Sequence, residues 1–92
     1  MKKDVTEAVK WFRMSAAQGN DVAQYSLGVA YANGYGVNKD EQTAYGFLLL
    51  AMDGGNANAS PMLALLEKTL SPSEQEAARS WAKQQKLKIG KR

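Results

Sequence analysis

The chain is 92 residues long, 45% hydrophobic and 23% charged, with no cysteine and no histidine. That leaves room for one small domain, and it excludes disulfide frameworks, thiolate nucleophiles, imidazole bases and Cys- or His-based metal sites. The net charge of +3 divides unevenly: residues 1–76 sum to −3, whereas residues 77–92 carry six basic side chains and no acid.

In chain order, Met1-Lys2-Lys3 could open an export signal, but Asp4 and Glu7 interrupt the apolar run it would need, so the cytoplasm is the expected compartment. Asp4 reads as an N-cap, and Glu7 three residues on completes a capping-box spacing. Ala8, Trp11, Phe12, Ser15 and Ala16 then recur at the spacing of one helical stripe, and Gly19-Asn20 closes it. Both Trp11 and Trp81 are expected in the core, since each lies on its helix's apolar stripe.

A second helix is predicted over about 21–33, with Ala23, Leu27, Ala30 and Tyr31 on one face. Gly28 inside it costs about 1 kcal/mol against alanine, which predicts close approach of two helix backbones. Gly34 and Gly36 shape the following loop, and a phosphate-cradling role for them fails because no strand precedes them and no Gly-Lys-Ser/Thr ending follows. A third helix is expected from Asp40 to about Asp53, ended by Gly54-Gly55. Pro61 forces the fourth to start late, with Asn58 or Ser60 as cap, and to end near Thr69. Ser71-Pro72-Ser73-Glu74 signals a fifth helix by cap, first-turn proline and capping-box glutamate. The expected layout is a first unit over 3–38, a second over 39–70, a capping helix over 71–87 and a basic tail over 88–92.

Displacing the chain by 36 positions aligns seven identities, among them Ala8/Ala44, Gly19/Gly55, Ala23/Ala59 and Leu27/Leu63. Chance would give about two. Trp11 falls on Phe47 and Phe12 on Leu48, so bulk is kept where residues differ. The chain is therefore an internal duplication of a helical hairpin.

The residues of the first unit resemble the Sel-one-like repeat, a relative of the tetratricopeptide repeat. The pattern is carried by Ala8, Trp11-Phe12, Ala16, Gln18-Gly19, Ala23-Gln24, Leu27-Gly28, Tyr31, Gly34, Gly36-Val37 and Asp40. It weakens after Ala59, where the tyrosine and the Gly-x-Gly-Val are missing. The resemblance implies an all-α superhelix of antiparallel helix pairs used for protein–protein recognition as an adaptor or scaffold. The absence of cysteine, histidine and any catalytic constellation leads to the separate expectation of no enzyme activity, no cofactor and no metal.

Tyr45–Met52 is apolar nearly all round, and its counterparts to the first unit face the shared core. One expectation is that this central helix is covered on both flanks. The sharper one is a patch on the concave face, with Met14, Leu49 and Leu50 as floor, Gly46 between the leucines, and Lys10 and Arg13 as basic rim. The partner expected there is a peptide or protein. The alternative is contact with nucleic acid or an anionic surface through residues 79–92, although a solvated basic end with charges complementing the helix dipole is the favoured account of them. Val5 and Val9 at the uncapped N-terminal end raise self-association as a further expectation.

Overall fold

The computed structural model describes residues 5–90 of the chain, and the side chains of 7–89. Asp4, its capping box, Lys2, Lys3, Lys91, Arg92 and the side chain of Val5 lie outside that description. Five helices follow in order: α1 (Val5–Ala17), α2 (Asp21–Asn33), α3 (Glu41–Asp53), α4 (Ala59–Thr69) and α5 (Pro72–Gly90). Among the described residues there is no strand. Extents of 39 × 33 × 20 Å give a slab two helices thick, as stacked hairpins require.

Local chemistry sets the helix ends. Gly19, at φ +93°, turns the chain out of α1. Asn20 closes α1 with it, its N–H donating to the Ser15 carbonyl at 3.2 Å, and also caps α2, its Oδ1 accepting from the N–H of Val22 (2.9 Å) and Ala23 (3.1 Å). Asp40 caps α3 through the N–H of Thr43 at 3.1 Å. Asn56 forms a side-chain turn with the N–H of Asn58 (3.0 Å), so α4 starts at Ala59 with Pro61 in its first turn, as the proline demands. The Ser71/Glu74 capping box is reciprocal: Glu74 accepts from the Ser71 N–H at 2.8 Å, and Ser71 Oγ accepts from the Glu74 N–H at 3.1 Å.

Packing follows the duplication. In the first hairpin Val9, Ala16, Ala23, Leu27 and Ala30 form one buried cluster. In the second, Ala44, Tyr45, Leu48, Ala51, Ala59, Leu63 and Leu66 form the other, joined by Leu70 and Ala78. Val9, expected to stay partly uncovered, is buried against α2. The hairpins meet where α2 crosses α3. A Cβ on Gly28 would stand 2.6 Å from Leu48 Cγ and 3.3 Å from the Ala44 carbonyl, so the glycine permits the close approach its cost implied. Gln24, though buried, is satisfied: its Nε2 donates to the Ala16 carbonyl at the end of α1 (3.2 Å).

Two expectations need correction. Trp11 is not in the core but 65% exposed. Its counterpart Phe47 is covered by Tyr31 of α2 and Trp81 of α5, and among the described residues Trp11 has no aromatic ring packed on it. The basic end is not a free tail from residue 88, because α5 continues to Gly90. Ile89 anchors it, with Cγ2 lying 3.1 Å from where a Cβ on Gly19 would stand.

Candidate partner-binding site

The position of α5 decides what α3 can offer. On a wheel of about 100° per residue, Ala44 and Leu48 point one way and Gly46 nearly the opposite way. The first pair meets α2, and Gly46 meets α5: a Cβ on it would stand 2.7 Å and 2.9 Å from two ring carbons of Trp81. The indole therefore lies on the bare backbone of α3. Beside it, Phe47 meets Trp81 edge-on at 4.9 Å and 72°, and stacks on Tyr31 at 5.8 Å and 10°. Arg13 of α1 completes the cluster. Its Nη2 donates to Tyr31 Oη at 2.6 Å, and its guanidinium carbon lies 5.8 Å from that ring's centroid.

Four helices thus each contribute one side chain to a partly exposed aromatic ridge. A shallow cleft of about 270 Å³ lies beside it, bounded by Gln42, Thr43 and Ala77. A second, of about 280 Å³, is floored by Leu50 and Phe47 and rimmed by Arg13, Gln85 and Lys88. Arg13, Phe47 and Trp81 line both.

The residues expected to form one patch are dispersed by α5. Gly46 is buried under Trp81, and Leu50 is only 5% exposed, on the floor of the second cleft. Leu49 is half-buried on the opposite flank of α5, in a cleft of about 490 Å³ with Asp53, Arg79, Lys83 and Lys86. Lys10 and Met14 are exposed on α1 and line neither cleft beside the ridge, so Met14 is no floor for Leu49 and Leu50. Of the expected rim residues, Arg13 lines both clefts beside the ridge and Lys10 lines neither. Tyr31 and Phe47 went unassigned as surface groups. The overlooked signal was Gly46, a glycine within a helix and away from the core, which marks close approach by another element as Gly28 does.

The electrostatics are local. Lys86 pairs with Asp53 at 3.5 Å. Arg79, Lys83 and Lys86 share one side of α5, and Lys88 lies on the other, so the described basic residues of α5 form no single stripe. Burial, and next the hydrogen bond to Glu67, raise the Tyr45 phenol above its ordinary value of 10.0. That hydroxyl donates to Glu67 Oε2 at 2.7 Å and ties α3 to α4.

Hairpins stacked through a small-residue crossing, with an aromatic ridge on their inner helices, define a helical-repeat protein of the α–α superhelix class. Within that class, the Sel1 repeat model matches residues 1–20 and 21–56, and the chain belongs to the Sel1 repeat family. The second match runs through α2 and α3, so it contains the Gly28–Leu48 crossing. No curated protein matches the chain. Sel1 repeats are generally protein-interaction modules and typically non-catalytic. Among the described residues, no helix is long and apolar enough to cross a membrane.

Proposed function

We propose that this chain is a non-catalytic interaction module that holds a peptide, or an extended segment of a protein partner, along the Arg13–Tyr31–Phe47–Trp81 ridge. The ridge itself carries the reading: aromatic faces beside a guanidinium form the chemistry of an interface anchor. The cleft over Leu50 accepts an apolar side chain, and Arg13 with Lys88 favours a carboxylate next to it. The preferred ligand is thus an aromatic or aliphatic residue flanked by Asp or Glu.

Contact with nucleic acid or an anionic surface through residues 79–92 finds less support. Lys86 is engaged by Asp53, and the apolar seam of α5 separates Lys88 from Arg79, Lys83 and Lys86. Selection from a library of random 12-residue peptides tests both. Aromatic–acidic sequences are expected, with at least tenfold loss of affinity for Arg13→Glu and little change for Leu49→Lys on the far flank. Equal loss in both variants would place the site elsewhere. Selection of acidic peptides lacking an apolar residue, with binding abolished by moderate salt, would favour the basic helix.

A further inference from the structure

The positive charge on the ridge is held in one place. An exposed arginine ordinarily samples many rotamers, and ordering it on binding costs affinity. Arg13 is exposed, yet its Nη2 donates to Tyr31 Oη at 2.6 Å, and its guanidinium carbon lies 5.8 Å from that ring's centroid. Tyr31 in turn is fixed by its own contacts. Its ring stacks on Phe47 at 5.8 Å and 10°, and Phe47 is braced edge-on by Trp81 at 4.9 Å. The side chain also packs against the buried clusters of both hairpins. At the end of α2, the Tyr31 carbonyl accepts from the N–H of Asp40, the N-cap of α3, at 2.9 Å. Lys88, the other cation beside the second cleft, is an exposed point charge on a flexible stem.

We infer that Tyr31 is the positioning residue of this site: by fixing Arg13 before a ligand arrives, it makes the ridge select an Asp or Glu side chain over the corresponding amide. The inference rests on the ridge being the binding surface proposed above. An uncharged hydroxyl anchors the guanidinium without cancelling its charge, whereas a carboxylate in the same place would cancel it. The Tyr31 bond takes one of the five N–H groups of the guanidinium. One of its two paired N–H edges therefore stays whole, and such an edge meets both oxygens of a carboxylate at once. A side-chain amide offers that edge a single acceptor oxygen and sets its own N–H groups against the second donor. Lys88 attracts an anion but has no fork with which to tell the two apart. Selectivity thus resides in Arg13 and Tyr31 together.

Two peptides, acetylated and amidated at their ends, test this: Gly-Ser-Gly-Ser-Glu-Trp-Leu-Glu-Ser-Gly-Ser-Gly and its twin with both Glu replaced by Gln. Each is titrated into the 92-residue chain and followed by NMR at about 0.15 M salt, where exposed long-range charge is largely screened. The parent chain is expected to bind the Glu peptide at least about fivefold tighter than the Gln peptide, as a two-pronged charged hydrogen bond allows. Tyr31→Phe keeps the ring and its stacking. Helical circular dichroism should stay unchanged, and affinity for the Gln peptide should hold, while the preference for Glu disappears. Arg13→Lys keeps the charge and should lose the preference likewise, and Lys88→Gln should retain it. Equal binding of both peptides by the parent would overturn the inference and leave the ridge as the site. So would a preference that survives Tyr31→Phe or Arg13→Lys, or one that is lost in Lys88→Gln. Loss of both peptides in Tyr31→Phe would make the tyrosine a structural support and overturn it as well. If neither peptide shifts the resonances of Phe47 and Trp81 in the parent, the ridge is not the binding surface, and the inference falls with it.

Discussion

Helices α1 and α3 are copies of one pattern, yet they live in different surroundings. Leu48 and Ala44 are 0% exposed, whereas Phe12 and Ala8 at the same places are half-buried. Phe47 is held between Tyr31 and Trp81, while Trp11 stands 65% in solvent. Periodicity therefore encodes which residues share a face, but the number of neighbours decides how much of that face leaves water. Helix α3 has three neighbours, α2, α4 and α5, and α1 packs chiefly on α2.

The largest effect should come from emptying the better-covered copy. Leu48→Ala is expected to cost about 3 kcal/mol in urea unfolding, as truncation in a closed core does. Phe12→Ala removes more atoms but from a half-open site, and should cost roughly half as much. Equal costs, or a larger one at Phe12, would break the distinction between the two helices.

A smaller effect sharpens the account of how α3 is tied to α4. Tyr45→Phe removes a hydrogen bond to a carboxylate and should cost about 1 kcal/mol at neutral pH. Because the folded-state pKa of Tyr45 is raised, its contribution is complete below the unfolded value near 10.0 and is lost as pH rises through the folded value. Stability measured from pH 8 to 11.5 should fall more steeply for the parent chain than for Tyr45→Phe. Parallel curves would remove Tyr45 as the cause.

What was legible in the sequence was local or repeated. The Ser71/Glu74 box, the late start of α4 and the role of Gly28 rest on neighbours within a few residues or on the 36-residue register. What was not legible depends on contacts far along the chain. Two tryptophans on similar stripes end in opposite settings, because only Trp81 meets a glycine on another helix. The lysine-rich end reads as a tail, yet Gln84–Lys88 are good helix formers and Ile89 finds Gly19 some seventy residues earlier. The patch expected on α3 fails for the same reason. An unpaired apolar flank looks identical in sequence whether a partner or the chain's own last helix covers it.

Amide hydrogen exchange on the 92-residue chain, resolved residue by residue, tests the comparison most directly. Amides of Leu48 and Ala51 in α3 should exchange only through global unfolding. Those of Phe12 and Ser15 in α1 should open at a free energy lower by at least about 1 kcal/mol. Equal protection in both helices, or earlier opening of α3, would contradict a fold organised around α3 as its most enclosed element.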